Sequence, residues 1–102
     1  MDFKIIWTDS AIADLREICN YIRGDNPAAA EKVGRAILDH VKILTSFPFI
    51  GPAYPRRSKS GRREIICWKY RIFYKVSGKN KTVEILRVWH GARNEPTFSN
   101  LK

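Results

Sequence analysis

The chain has 102 residues, 19 Lys+Arg against 10 Asp+Glu, and a formal net charge of +9. That length predicts one domain over residues 1–102, able to bury a core without a disulfide or a metal. At 44% hydrophobic and 12% aromatic, the composition excludes a disordered basic tail. The longest apolar run, Ile65-Ile66-Cys67-Trp68, excludes a membrane span, and Met1-Asp2-Phe3-Lys4 does not read as a signal peptide. Cys19 and Cys67 lack metal-ligand or CxxC spacing, so two reduced thiols in a cytoplasmic protein are expected, with no metal and no cofactor.

The charge is divided unevenly. Residues 1–46 hold six basic and seven acidic side chains, a net of −1. Residues 47–102 hold thirteen basic and three acidic ones, a net of +10. A surplus confined to one half predicts a polyanionic or acidic partner, against the blander alternative of a solvated basic face.

Phe3-Lys4-Ile5-Ile6-Trp7 is short, aromatic and β-branched, and predicts a first strand. Thr8, Asp9 and Ser10 offer N-cap side chains, and Ala11, Leu15, Ile18 and Ile22 then recur at helical spacing up to Gly24. Asn26 is a good N-cap and Pro27 suits the first helical position. Ala30, Val33, Ile37, Val41 and Leu44 carry that second helix to about Ser46. The short link makes the two helices an antiparallel hairpin.

Pro48, Pro52 and Pro55 make 47–55 an extended loop, anchored by Phe47, Phe49, Ile50 and Tyr54. The basic run Arg56 to Arg63 reads as an exposed loop. Three strands follow: Glu64–Trp68, then Tyr70–Ser77, then, after the turn Gly78-Lys79-Asn80-Lys81, Thr82–His90. In the second of these, Ile72, Tyr74 and Val76 share one face and Arg71, Phe73 and Lys75 the other. In the third, Val83, Ile85, Arg87 and Trp89 alternate with Glu84, Leu86, Val88 and His90, which leaves its core face undecided. The expectation is a two-layer α+β domain: an N-terminal strand, a helical hairpin and a three-stranded antiparallel meander.

Taken together, several segments resemble the RelE/ParE toxin superfamily: Tyr21-Ile22, Asn26-Pro27-Ala28-Ala29-Ala30, Phe47-Pro48-Phe49-Ile50-Gly51 and Arg63-Glu64-Ile65. Tyr70-Arg71-Ile72-Phe73-Tyr74 and Val88-Trp89-His90-Gly91-Ala92-Arg93 complete the match in the right order. The resemblance implies the toxin of a type II toxin–antitoxin module, of the kind also called plasmid stabilisation proteins. Such a toxin is neutralised by a cognate antitoxin, here expected to present an acidic C-terminal segment. RelE-like members cut ribosome-bound mRNA and ParE-like members poison DNA gyrase. The Asn-Pro-Ala-Ala helix start, the Pro-x-x-Gly turn and His90-Gly91-Ala92-Arg93 look closer to the ParE side.

As a metal-independent nuclease, the chain would use Arg71 and Arg93 to hold phosphate charge. His90 would move a proton, complemented by Glu64 or Lys69. Gly91 stands where some cutters carry a stacking aromatic, and the paired lysines of others are missing. The gyrase reading needs no catalytic set and is preferred. Its target surface would be Arg56, Arg57, Arg62, Arg63, Lys69, Arg71 and Arg93, with Arg71 and Tyr74 otherwise structural. A non-catalytic nucleic-acid-binding module, stacking bases on Phe73 or Trp89, ranks below both. The antitoxin would add a strand to a sheet edge or lay a helix between Ala11–Ile22 and Ala28–Leu44.

Overall fold

The computed structural model describes residues 2–55 and 59–91. The chain runs β1 (Lys4–Trp7), α1 (Asp9–Arg23), α2 (Pro27–Val41), a 3₁₀ turn (Lys42–Thr45), β2 (Arg62–Cys67), β3 (Tyr70–Ser77) and β4 (Thr82–His90). The four strands form one sheet in the order β1-β4-β3-β2, antiparallel except that β1 pairs parallel with β4.

Both helix starts follow from their caps. Thr8 accepts the Ala11 N–H through its hydroxyl, and Asn26 accepts the Ala29 N–H with Pro27 just behind it. The second helix ends earlier than its apolar spacing suggests, because the last apolar residues wind into the tighter 3₁₀ turn. Leu44 is fully buried there. The helices cross closely at Gly34, where an added Cβ would sit 3.0 Å from the Cys19 sulfur.

The helices cover one face of the sheet. Ala11, Ile37, Val41 and Leu44 pack on Ile65, Ile72, Tyr74, Val83, Ile85 and Val88. Tyr74 is fully buried, and its hydroxyl oxygen accepts the Gly51 N–H at 2.9 Å. Gly51 is where the loop after α2 turns back against β2. A Cβ there would lie 2.4 Å from the Glu64 carbonyl oxygen and 2.7 Å from the Tyr74 hydroxyl, so no other residue fits.

Two expectations need correction. Arg62 and Arg63 do not belong to an exposed loop: they open β2, whose partners on β3 are Lys75 and Tyr74. Trp68 is not a strand residue but the first residue of the tight β2–β3 turn, at φ 58°.

The strict alternation expected of β4 also fails. Tyr74 pairs with Ile85 while Phe73 pairs with Arg87, so Leu86 is an extra residue and the ladder bulges there. Val83 and Ile85 therefore share the helix face with Val88 and His90. Arg87 and Trp89 cross to the outer face, opposite Phe73 and Arg71. The bulge is why apolar residues stood on both phases of the alternation.

Candidate functional site

The outer face of the sheet gathers cations and aromatic rings. Arg71, near the start of β3, donates from Nε to a Glu64 carboxylate oxygen on β2, and the two side chains are only 19% and 14% exposed. The same guanidinium lies 5.2 Å from the centre of the Tyr54 ring and 5.0 Å from that of Phe73. Tyr54 and Phe73 pack with ring centres 4.7 Å apart. The expected Arg71 and Glu64 are thus brought together, as a compensated pair seated on aromatic rings.

His90 is on the other side. It pairs with Tyr70, whose ring it meets edge-on at 5.5 Å, and it borders a pocket against Glu17, Ile18 and Tyr21 of α1. Arg71 pairs with Trp89, the neighbouring residue, and so points to the opposite face. One strand step therefore separates His90 from Arg71 by the thickness of the sheet.

The remaining expected residues divide. Arg63 serves the fold: its Nη1 donates to the carbonyl oxygens of Gly51 at 2.6 Å and Phe49 at 3.2 Å, and the guanidinium lies 5.1 Å from the Phe49 ring centre. It pins the loop that the buried Tyr74 also holds. Arg62, on the outer face, pairs with Lys75. Lys69 stands at the β2–β3 turn with its ammonium 4.5 Å from the Trp68 ring centre. Arg56, Arg57 and Arg93 lie outside the described residues.

Two residues escaped the sequence reading. β1 covers the edge of β4 only as far as Ile85, and α1 takes over beyond it. The Thr8 hydroxyl donates to the Ile85 carbonyl at 2.7 Å, and Asp14 accepts the Val88 N–H at 3.0 Å. Arg87 closes on the same carboxylate through Nε and Nη2, at 2.7 and 2.8 Å. That bidentate bond is the largest cause holding the Arg87 guanidinium above its ordinary pKa. The signal was present: Asp14 sits three residues after Ala11 and four before Ile18, on the apolar stripe of α1. A carboxylate there requires a partner.

Burial also raises the pKa of Tyr74, partly offset by the Gly51 N–H and the Arg63 charge. Burial raises Tyr70 and the Cys67 thiol as well. Among the described residues, no group of three or more His, Cys, Asp or Glu side chains is placed to hold a metal, and no helix is long and apolar enough to cross a membrane.

With the geometry in place, residues 5–95 match the family described as ParE toxin of type II toxin-antitoxin system, parDE. The chain belongs to the ParE toxin family. The Sinorhizobium fredii protein Y4kP, a candidate toxin, is 37% identical over 94 residues, which is 91% of this chain and 93% of that one. Among solved structures, the chromosomal ParDE toxin–antitoxin system from P. aeruginosa superimposes with a TM-score of 0.73 at 27% identity. That match covers 86% of this chain and 95% of the other. The RelBE2 toxin–antitoxin complex from Mycobacterium tuberculosis superimposes at 0.63 with 25% identity, over 88% and 99% of the two chains. This chain is therefore a type II toxin of the RelE/ParE superfamily, nearest the ParE branch, with the α+β fold of that group. In the toxin, the parallel β1 and the bulged β4 set which basic residues face outward.

Proposed function

We propose that this toxin arrests growth by poisoning DNA gyrase, and that a cognate antitoxin with an acidic segment neutralises it in the resting cell. The observation that carries the gyrase reading is the division, among the described residues, of the candidate cleavage groups Glu64, Arg71 and His90. Cutting RNA without a metal asks one group to take the 2′-OH proton, another to stabilise the phosphate, and a third to protonate the leaving oxygen, all within reach of one phosphate. Arg71 and Glu64 satisfy one another on the outer face, and His90 belongs to the helix face. A binding toxin needs no such convergence. Its surface is the cation-rich sheet and turn, with Lys69 and Arg62 meeting acidic surface or DNA phosphate. The antitoxin partner is supported by the ParDE and RelBE2 systems among the structural neighbours.

Inducing the chain in a bacterial cell that carries a reporter plasmid tests this. Growth should stop and the plasmid should lose negative supercoiling, while mRNA 5′ ends stay as in uninduced cells. Codon-phased mRNA cuts with normally supercoiled plasmid would replace the gyrase reading with the ribosomal one.

A further inference from the structure

The seam between α2 and the β2 edge carries an open apolar surface, where Val33 and Cys67 border the core and Ile66 lies opposite Arg71 at the rim of the outer face. One end is a groove of about 400 Å³ between Ala29, Val33 and Ala36 on α2 and Cys67 and Trp68 at the hairpin. The Cys67 thiol reaches the Ala36 carbonyl oxygen at 3.8 Å across its floor. A second hollow continues the seam, past His40 and Ile43 to Ile50, Pro52 and Ile66. From Ala29 to Ile43 the seam is about 20 Å long at the helical rise.

Its apolar side chains are unusually open: Trp68 is 72% exposed, Ile66 60% and Ile50 56%. Trp68 also takes a left-handed φ of 58° in the turn, where glycine or asparagine would sit with less strain. Local turn chemistry therefore does not select a tryptophan there. Cations border the groove: Lys32 on the α2 wall and Lys69 stacked on the Trp68 ring. The carboxylate at the far end, Glu64, is already matched by Arg71.

We propose that this seam is a docking groove for the cognate antitoxin, taking an apolar segment flanked by carboxylates that meet Lys32 and Lys69. The inference rests on the toxin–antitoxin reading above and adds where on the toxin the partner sits. Charge complementarity selects that occupant. A second copy of the chain would bring Lys32 and Lys69, and net charges of +9, against one another. A nucleic-acid backbone finds no use for an apolar floor. An amphipathic acidic segment satisfies floor and rim together.

The two cysteines provide the test, because Cys67 lines this seam and Cys19 lines the separate groove between α1, α2 and β1. The probe is the purified product of the reading frame adjacent to the toxin gene. Iodoacetamide labelling is followed by mass spectrometry on free toxin and on the complex. Labelling of Cys67 is expected to slow at least tenfold in the complex. An unchanged Cys67 rate overturns the proposal, whatever happens at Cys19.

Two variants give a second arm: Ala36→Arg, which fills the groove, and Lys32→Glu, an exposed side chain on its α2 wall that reverses the charge offered to the partner. Each should keep arresting growth while its Kd for that product rises at least tenfold. Neutralisation equal to wild type overturns the proposal. Failure of the product to bind or neutralise the wild-type toxin at all would remove the antitoxin reading, and this inference with it. That result is distinct from a complex that leaves Cys67 open.

Discussion

Asp14→Ala should be among the most damaging single changes on α1, although the residue is a partly solvated acid. The wild-type carboxylate receives three hydrogen bonds, from Arg87 Nε at 2.7 Å, Arg87 Nη2 at 2.8 Å and the Val88 N–H at 3.0 Å. Alanine leaves a guanidinium that is 23% exposed and a strand-edge N–H without that acceptor. Breaking a fully buried ion pair costs ~3–5 kcal/mol and an exposed one ~0–1 kcal/mol. This pair lies between those limits, which places the loss at about 2 kcal/mol. For a domain of this size that lowers the Tm by about 8–16 °C. Urea titration should show a lower midpoint at unchanged slope. Asp14→Asn, which keeps an acceptor for Val88, should fall between. Adding Arg87→Met to Asp14→Ala should recover part of the loss, because the unmatched charge is gone. A single variant within 0.5 kcal/mol of wild type, or a double variant no better than the single, would refute this account of the β4 edge.

Gly51→Ala should cost about 2 kcal/mol or more, since its Cβ overlaps the Glu64 carbonyl and the Tyr74 hydroxyl; thermal unfolding checks this, and an unchanged Tm would contradict it. Stability should also fall in alkali. Burial raises the pKa of Tyr74 above its ordinary value of about 10, so the unfolded chain gives up that proton first. The contribution is complete below pH 10 and is lost as pH rises beyond it. Tyr74→Phe should flatten that alkaline fall while costing ~1–3 kcal/mol near neutrality, because the Gly51 N–H loses its acceptor. Paired Arg62→Gln and Lys69→Gln changes should weaken target binding and reduce its salt dependence, read from affinity against salt concentration. Arg63→Gln should instead act mainly through stability.

Local chemistry was legible in the sequence. The Asn26 cap and the full extents of β3 and β4 can be read from residue type and spacing, whereas Thr8, Asp9 and Ser10 were equivalent candidates until the structure gave the cap to Thr8. The face of Arg71 can be read as well, because β3 keeps a strict two-residue period. β4 does not, and no feature of Thr82–His90 marks Leu86 as the extra residue. Its position depends on cross-strand register with β3. The placement of His90 relative to Arg71 depended on that bulge.

Arg63 was misread for a related reason. In a run of basic residues it looks like surface charge, and only the fold reveals Gly51 and Phe49 carbonyls waiting for it. Trp68 passed for the end of a strand because turns seldom use tryptophan. The parallel pairing of β1 has no local signature either. It follows from the helical hairpin returning the chain to the far edge of the sheet.

The claim that this toxin acts by binding gyrase, not by cutting RNA, is tested most directly with purified protein. Wild type and His90→Ala would be titrated in parallel into a gyrase supercoiling reaction and into translating ribosomes charged with a defined mRNA. Both proteins should inhibit supercoiling at similar concentrations and leave the message intact. Codon-phased cleavage by wild type, abolished by His90→Ala, with gyrase unaffected, would contradict it.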